Sequence, residues 1–366
     1  MHVGILSHNF PPHPGGLEVM VMNLARGLAG LGHQVTLVSS AWEDARGVSV
    51  EHGVTVHRLP TLHHTEGFGV PYPVQFGPGW SAVRDALRSA DVLNAHGALY
   101  VTSQVAAGMA RKRGTPLVLT DHVGILEYEQ RHLNVAQKLA WATLGRFVLQ
   151  TAQAVTTYNG RVADFLRSQP PHHEPRFIGN GVDMKTFAPR DQEQRRAARG
   201  RFGIPPDDVV GLFVGRDTPK KNLPAVLNCA RDGYSLAVCG ADRALPEDVV
   251  NLGLQPYDAM PDLFGCVDFM VLASIGEGFP LAIQEAMATG LPVVVLWDEG
   301  YGAWVSREAM VVVDRLDQLP AAMQSMASDA ARRQAVGAAA LEWVHSRWSW
   351  EATVAQYEAL FLSLID

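Results

Sequence analysis

The sequence predicts an α/β fold with two parallel-sheet domains. Short apolar runs, typical of buried parallel strands, alternate along the chain with segments whose apolar residues recur at helical spacing. The length of 366 residues is enough for about two domains with sizeable cores. A segment at 168–176 contains Pro170, Pro171 and Pro175, and its composition predicts a linker between two halves.

Both halves show the same alternation. A strand at 3–7 opens the first half and leads through a Pro/Gly loop into a helix at 17–31. The other predicted strands, five in each half, are 34–39, 54–59, 92–95, 117–120 and 154–158, then 209–214, 235–239, 268–272, 293–296 and 310–313. A last helix at 350–364 follows the final strand, and its pattern alone does not decide where it packs.

Composition excludes several classes of protein. Hydrophobic residues make up 47% and charged residues 18% of the chain, as in soluble globular proteins. The net charge of −7, with no dominant basic face, argues against a nucleic-acid binder. The basic run Arg111–Arg113 suggests either contact with an anionic membrane surface or a solvated helix end. No apolar run approaches the ~20 residues that a membrane span needs.

The chain start and the cysteines bear on location. A strand-like run begins directly after Met1, which leaves no room for a signal peptide. Cys229, Cys239 and Cys266 form no C-x-x-C pair, so neither a disulfide framework nor a zinc site is predicted. We therefore expect a protein of the cytoplasm.

Two glutamates eight residues apart, Glu277 and Glu285, bracket a turn and a helix rich in small residues. Pro280 suits the first helical position, and Gly290 with Pro292 forms a stop signal. If this segment is largely helical, the carboxylates lie roughly 12 Å apart and suit the two ends of an extended ligand such as a sugar nucleotide. The alternative is a surface helix with two solvated carboxylates.

The start of this helix is a candidate for binding substrate. The backbone N–H groups of Gly278, Phe279 and Leu281 would point out of the helix N-terminus, whereas Pro280 has no N–H. Such an end receives an anion or an oxygen-rich ligand. We predict that residues 278–281 contact the substrate.

A Pro/Gly loop with Gly15 and Gly16 joins the first strand to its helix. Ligands of open α/β sheets bind beyond the carboxyl ends of strands, where this loop lies. The two glycines permit close backbone approach and precede a helix start that suits phosphate. The alternative is a simple turn. Since the G-x-G-x-x-G fingerprint is absent, no nicotinamide cofactor is predicted.

A second strand end carries two cations, Arg216 and Lys221. Together they can neutralise a diphosphate, because the guanidinium binds two oxygen atoms and the ammonium acts as a point charge. An exposed basic loop is the alternative that spacing alone leaves open.

Two histidines directly follow apolar strands. His96 ends the segment Asn94-Ala95-His96, and His122 follows the strand at 117–120. Their positions predict that both face a ligand. For His96 we favour a core histidine, or one that acts through another residue.

Together these segments resemble the family-4 glycosyltransferases, which are retaining enzymes of the GT-B fold. The likeness covers nearly the whole chain. Its motifs, in the order of the family, are Gly15-Gly16-x-Glu18, Asp91–Gly97, the strand ending in His122, Ile178–Asp183, Val214–Lys221, Glu277-x7-Glu285 and Trp348–Glu351. The resemblance implies two Rossmann-like domains that face a central cleft. An acceptor-binding domain would span 1–177 and a donor-binding domain 178–347, with a C-terminal helix at 348–366 crossing back to the first.

The resemblance also implies how the donor is bound. Arg216 and Lys221 would hold its diphosphate, and the Gly15–Gly16 loop would lie against the phosphates. Glu285 would bind the ribose hydroxyls.

Two residues would act at the transferred sugar. Glu277 and the amides after it would contact this sugar, and His122 would lie near the reacting centre, so both are predicted to be catalytic. The sequence departs from the family after the strand at 293–296, where Trp297–Trp304 replaces a common Gly-Gly-x-x-Glu loop.

The implied reaction moves a hexosyl group from a UDP- or GDP-hexose to a hydroxyl acceptor, with retention and by front-face attack. Since no D-x-D motif stands at a suitable strand end, cations and helix dipoles would stabilise the leaving group, and no metal or other cofactor is expected. The partners would be the nucleotide sugar and the acceptor, without nucleic acid. Peripheral contact of the first domain with the inner face of the membrane is the expectation if Arg111–Arg113 meets anionic lipid rather than solvent.

The same motifs leave two alternatives to a transferase. One is a sugar-nucleotide epimerase of the same fold, which needs no acceptor, and the other is a sugar-nucleotide-binding protein that has lost catalysis. The sequence leaves the donor hexose, the acceptor and the oligomeric state open.

Overall fold

A computed structural model describes residues 1–13, 15–63, 72–126, 128, 130–275, 280–298, 301 and 305–365. The chain forms two compact units, one made of Met1–Gly181 with Trp350–Asp366 and the other of Val182–Ser349. Each unit is built on one large, mainly parallel sheet with helices between its strands. The predicted α/β class is confirmed.

The first unit contains an eight-stranded sheet in the order β10-β9-β8-β7-β1-β2-β4-β3. Only β3 and β4 pair antiparallel within it, and β5 and β6 form a separate small hairpin. The elements of this unit, in chain order, are β1 (His2–Leu6), α1 (Gly16–Gly30), β2 (Gln34–Ser40), β3 (Gly47–Glu51), β4 (Val54–Leu59), β5 (Thr61–Leu62), β6 (Val74–Gln75), α2 (Gly79–Ala86), β7 (Val92–His96), α3 (Val101–Arg113), β8 (Leu117–Thr120), α4 (Arg131–Ala140), α5 (Arg146–Thr151), β9 (Ala154–Thr157), α6 (Gly160–Ser168) and β10 (Arg176–Phe177).

The second unit contains a six-stranded, all-parallel sheet in the order β13-β12-β11-β14-β15-β16. Its elements, in chain order, are α7 (Gln192–Phe202), β11 (Val210–Val214), α8 (Leu223–Leu227), β12 (Ser235–Cys239), β13 (Val249–Gly253), α9 (Met260–Cys266), β14 (Phe269–Leu272), α10 (Leu281–Ala288), β15 (Val293–Leu296), β16 (Val311–Val313), α11 (Leu319–Ser328) and α12 (Ala330–Arg347).

The central strands are buried along their whole length. Every residue of β1, β7, β8, β9 and β14 is buried. Helices cover both faces of such a parallel sheet, so its strands read as continuous apolar runs rather than as an alternating pattern. This is why short apolar runs identified these strands in the sequence.

Each sheet has a point where the strand order reverses. In the first unit β1 lies between β2 and β7, and in the second unit β11 lies between β12 and β14. Ligands of open α/β sheets bind beyond the carboxyl ends of the strands at such a point. The loops after β1, β7, β11 and β14 therefore form the candidate site of each unit, and they contain most of the residues predicted from sequence.

The last helix, α13 (Trp350–Ile365), belongs to the first unit. Its Tyr357 and Phe361 are buried with apolar side chains of α1 and β1. A Cβ on Gly27 of α1 would lie 2.3 Å from Cγ2 of Val354, so the glycine lets the two helices approach closely. The Thr353 hydroxyl adds a hydrogen bond of 2.9 Å to the carbonyl oxygen of Gly179.

The course of the chain between the units differs from the sequence expectation. The proline-rich segment at 168–176 lies within the first unit, where it joins α6 to β10. The chain enters the second unit after Gly181 and leaves it after Ser349, whereas the sequence suggested 177 and 347. The strand β10 has only two residues, which is too short to produce a recognisable apolar run.

Candidate active site

The loop after β11 carries the two cations that were predicted to bind diphosphate. Arg216 is exposed, and its guanidinium makes no hydrogen bond or ion pair with another described residue, whereas its carbonyl oxygen accepts a hydrogen bond of 2.8 Å from the N–H of Thr218. Cδ of Lys221 lies 3.0 Å from the position that a Cβ on Gly215 would take, so the lysine stem packs on the strand end. Asp217 is paired with Arg243, which compensates its charge. We call Arg216 and Lys221 the cationic loop, since their charges dominate it.

The loop after β14 runs beside the cationic loop. The N–H of Ile275 donates a hydrogen bond of 2.8 Å to the carbonyl oxygen of Lys220. The predicted site residues Glu277, Gly278 and Phe279 follow directly, and they lie outside the described residues. The hydrogen bond therefore fixes where this candidate loop begins, next to the two cations.

The helix α10 begins one residue later than expected. Pro280 has φ −62° and ψ 130°, and Leu281 is the first helical residue. The prediction that Pro280 occupies the first helical position is wrong, because its extended ψ makes it the residue that precedes the helix. Gly290 lies beyond the helix end with φ +73°, a conformation that glycine adopts without strain.

Glu285 is buried in α10, with only 6% of its surface exposed. The hydroxyl of Tyr257 donates a hydrogen bond of 2.8 Å to its Oε1. Burial raises the pKa of Glu285 to about 7, although the hydrogen bond from Tyr257 acts in the opposite direction. The alternative of a solvated carboxylate is therefore wrong for Glu285.

Tyr257 is not among the site residues predicted from the sequence. This residue follows β13, and 44% of its surface is exposed, so it connects the surface to a buried carboxyl group. A polar side chain after a strand is the signal that could have found it. The strand itself was missed, because its residues are mostly half-buried and contain Asn251 and Gly253.

The loop after β1 is held by a chain of hydrogen bonds. Nδ1 of His13 lies 2.6 Å from Oε1 of Glu18, and Nδ2 of Asn9 lies 3.3 Å from Nε2 of His13. A Cβ on Gly15 would lie 2.2 Å from Oε2 of Glu18, so only glycine fits above this buried carboxylate. Gly16 is exposed and is the first residue of α1.

His96 and His122 lie side by side at the ends of β7 and β8. Nδ1 of His96 is 3.0 Å from Nε2 of His122, and the two rings are stacked with centroids 5.3 Å apart. His96 is 0% exposed, so the prediction that it faces a ligand is wrong. The favoured alternative fits, since His96 is a core residue that contacts His122.

A third histidine, which sequence analysis missed, belongs to this group. His8 follows β1, and its ring stacks on Tyr100 with centroids 3.5 Å apart. It has the same signal that identified His122, a polar side chain beyond an apolar strand. We call His8, His96 and His122 the histidine cluster.

All three members of the histidine cluster are neutral at pH 7. Burial lowers the pKa of His8 and of His122 to about 3, with a smaller contribution from His122 in the case of His8. Burial also lowers the pKa of His96 well below its ordinary value. The cluster can therefore exchange hydrogen bonds with a ligand but carries no charge toward it.

Solved structures with this fold cover nearly the whole chain. Sucrose-phosphate synthase from Thermosynechococcus elongatus matches with a TM-score of 0.80 at 19% identity, over 99% of this chain and 98% of that one. HepE from Anabaena, in complex with UDP and glucose, matches with a TM-score of 0.75 at 17% identity, over 99% of each chain. At this identity the likeness shows the fold alone.

Two family models match the sequence, one in each half. The Glycosyltransferase Family 4 model matches residues 14–186, and the Glycosyl transferases group 1 model matches residues 194–343. The chain belongs to the family-4, group 1 glycosyltransferases of the GT-B fold. The resemblance found in the sequence motifs is thereby confirmed.

Curated relatives of this glycosyltransferase are transferases as well. D-inositol 3-phosphate glycosyltransferase from Frankia alni is 28% identical over 345 residues, which cover 80% of each chain. The GDP-mannose-dependent alpha-mannosyltransferase of Mycolicibacterium smegmatis is 28% identical over 318 residues, which cover 80% of this chain and 79% of that one. The predicted enzyme class is confirmed.

The basic run of the glycosyltransferase lies in the last turn of α3. Arg111, Lys112 and Arg113 are exposed, and Arg113 donates hydrogen bonds to the carbonyl oxygens of Arg84 and Leu87. This contact suits the solvated helix end considered above. Among the described residues, no helix is both long and apolar enough to cross a bilayer.

Proposed function

We propose that this glycosyltransferase moves a hexosyl group from a UDP- or GDP-hexose to a hydroxyl acceptor, with retention of configuration. The GDP-mannose dependence of one relative and the UDP complex of HepE support a nucleotide-sugar donor. The observation that carries the proposal is the cationic loop, which stands at the carboxyl end of β11 and beside the loop after β14.

The donor diphosphate would bind at the cationic loop. Arg216 can bind two oxygen atoms of a phosphate, and Lys221 adds a point charge at the strand end. Negative charge grows on the diphosphate as the glycosidic bond breaks, so the two cations stabilise the transition state more than the bound donor. In this proposal they replace a metal ion. Within the described residues, no group of three His, Cys, Asp or Glu side chains could hold one.

Glu285 would bind the ribose. A buried carboxyl group needs hydrogen-bond partners, and Tyr257 supplies one. Ribose hydroxyls would supply the others. The amides of residues 278, 279 and 281 would contact the donor, and Pro280 would set the direction of the loop.

The sugar would be transferred on its front face. Glu277 would position the hexose rather than attack it, and the leaving phosphate would accept the proton of the acceptor hydroxyl. His122 would contact the sugar, and Gly15 with Gly16 would let the backbone approach the phosphates. The first unit would bind the acceptor.

We further propose that the enzyme works in the cytoplasm and at the inner face of the membrane. The three cysteines are buried and free, which suits a reducing compartment. The exposed run Arg111–Arg113 is the candidate contact with anionic lipid. Sedimentation with vesicles rich in anionic lipid, compared with neutral vesicles, tests the contact.

A panel of UDP-glucose, GDP-mannose and dTDP-glucose tests the reaction. We expect slow hydrolysis of at least one donor to free sugar and nucleoside diphosphate. Because configuration is retained, the free sugar should appear first as the α anomer, as in the donor. Arg216→Ala should lower this rate, and the exposed Arg315→Ala is the matched control in the same unit. If the enzyme instead converts a donor into its epimer and releases no free sugar, the proposed transferase activity is wrong.

A further inference from the structure

The strand ends of the first unit contain a hydrogen-bonded chain that runs from Asn94 through His96 to His122. Oδ1 of Asn94 is 2.9 Å from Nε2 of His96, and Nδ1 of His96 is 3.0 Å from Nε2 of His122. Asn94 and His96 are fully buried, and His122 is nearly so. The partners of Asn94, at the buried end of this chain, determine the direction of each hydrogen bond in it.

The orientation of Asn94 is fixed by its other partners. Nδ2 donates to the carbonyl oxygen of Val118 at 3.2 Å and to Oγ1 of Thr120 at 3.0 Å. The reversed amide would place two oxygen acceptors, Oδ1 and the Val118 carbonyl, against each other. Oδ1 of Asn94 therefore faces His96 and must accept, so Nε2 of His96 carries the hydrogen.

The hydrogen on His96 determines the one on His122. A neutral imidazole has one N–H, so Nδ1 of His96 has a lone pair and accepts from Nε2 of His122. If His122 carried its hydrogen on Nδ1 instead, two lone pairs would face each other at 3.0 Å. Nδ1 of His122 is consequently an acceptor, and this buried atom has no hydrogen-bond partner among the described residues.

We propose that Asn94 and His96 are positioning residues that hold His122 in the Nε2–H tautomer, so that its Nδ1 accepts a hydrogen bond from a hydroxyl group of the sugar substrate. The sugar as ligand rests on the proposed function, whereas the tautomer rests on the hydrogen bonds alone. An unpaired acceptor in a buried site selects a ligand that donates there. In this role His122 orients the sugar and does not transfer a proton.

The tautomer can be measured directly in the ligand-free protein. Long-range proton–nitrogen spectra of the histidine-labelled enzyme at pH 7 distinguish protonated from unprotonated ring nitrogens, and the His122→Gln and His96→Gln variants assign the signals. We expect Nε2–H and an unprotonated Nδ1 in both rings. A hydrogen on Nδ1 of either ring would overturn the inference. The spectrum of the wild type decides this, and the variants serve only to assign the signals.

The substrate contact is tested by titration in the same spectra. UDP-glucose or GDP-mannose should shift Nδ1 of His122, whereas UDP or GDP alone should not. Donor binding that shifts other signals but leaves His122 unmoved would overturn the contact. If neither donor binds, the proposed function fails, while the spectrum of the free protein still decides the tautomer.

Two variants of His96 separate positioning from packing. His96→Asn keeps an oxygen near the place of Nδ1 and should keep the tautomer of His122, with turnover within about threefold of the wild type. His96→Phe keeps the ring but removes the acceptor. It should let His122 sample both tautomers and lower kcat more than tenfold with little change in the donor KM. Equal losses in both variants with an unchanged His122 spectrum would show that His96 has only a structural role.

Discussion

Each unit of the enzyme has a sheet whose strand order reverses, but the two units offer different chemistry at the carboxyl ends of their strands. The first unit presents the uncharged histidine cluster, and the second presents the cationic loop and, separately, a buried carboxyl group, Glu285. Burial favours the neutral form in both units, since it lowers the pKa of the histidines and raises that of the glutamate. The topology thus decides where a ligand can meet each unit, and the side chains decide what chemistry is available there.

The largest expected difference between the units is their response to pH. The pKa of His8 and of His122 is about 3 in the folded unit against an ordinary 6.5, so the unfolded chain takes up protons that the folded unit refuses. Their stabilisation is present above pH 6.5 and is lost as the pH falls toward 3. When the pH falls from 7 to 5, the protonation of these two groups in the unfolded chain should lower the free energy of unfolding of the first unit by about 4 kcal/mol.

The second unit should respond in the opposite direction. Since the pKa of Glu285 is about 7 in the folded unit against an ordinary 4.5, its stabilisation is present below pH 4.5 and is lost as the pH rises through 7. When the pH falls from 7 to 5, Glu285 should raise the free energy of unfolding of the second unit by about 2 kcal/mol.

Hydrogen exchange read by mass spectrometry at both pH values, corrected for intrinsic rates, reports each unit separately. His122→Gln should remove about half of the change that His8 and His122 together contribute, and Glu285→Gln should abolish the change that Glu285 contributes to the second unit. If the protection of β1 and of β11 against exchange changes equally between the two pH values, the two units do not differ in their response to pH as we predict.

The next largest effect concerns the contribution of the first unit to turnover. His122→Gln should lower kcat about 100-fold, because it removes the contact that we propose between His122 and the sugar. The affinity for free UDP or GDP should stay unchanged, since these ligands lack the hexose. His172→Gln, at an exposed site of the same unit, is the control. A loss of affinity for free UDP or GDP in the His122 variant would contradict the proposal that only the second unit binds the nucleotide.

Within the second unit, the two glutamates should have separable roles. Glu285→Gln should weaken binding of free nucleoside diphosphate about tenfold, because the ribose contact that we propose for Glu285 is similar in the ground and transition states. Glu277→Gln should chiefly lower kcat, because the hexose that we propose as its partner gains charge as the glycosidic bond breaks. Calorimetry with free nucleoside diphosphate decides between them. Equal losses of affinity in both variants would show that the roles are assigned wrongly.

The smallest expected effect is that of metal removal. If the cationic loop alone stabilises the leaving group, dialysis against EDTA should leave turnover within about twofold of the untreated enzyme. Complete loss of activity, restored by Mg²⁺ or Mn²⁺, would mean that a metal ion supplies charge that we assign to Arg216 and Lys221.

Much of the fold was predictable because buried parallel strands leave a strong signal. The central strands of both sheets are continuous apolar runs, and glycines and prolines mark their ends. The strand β3 was missed because it is an edge strand whose Val48 and Val50 are exposed, so burial leaves no pattern. The short strands β5, β6 and β10 have two residues each, which carry no periodicity.

The candidate site was predictable in position but not in electrostatics. A polar residue after an apolar strand pointed to His122 and Arg216. The burial of Glu285, its bond to Tyr257 and the contact between His96 and His122 depend on residues 26 to 28 positions apart. Such contacts arise only when strands and loops meet in three dimensions, so no local pattern encodes them.

The most direct test of the account is calorimetric titration of UDP and GDP into the wild type and into the Arg216→Ala, Lys221→Ala and His122→Gln variants. Each cation variant should bind its nucleoside diphosphate more weakly by about 1–3 kcal/mol, the scale of a hydrogen bond to a charged group. His122→Gln should bind as tightly as the wild type. Unchanged affinity in both cation variants would contradict the claim that the second unit holds the diphosphate at the end of β11.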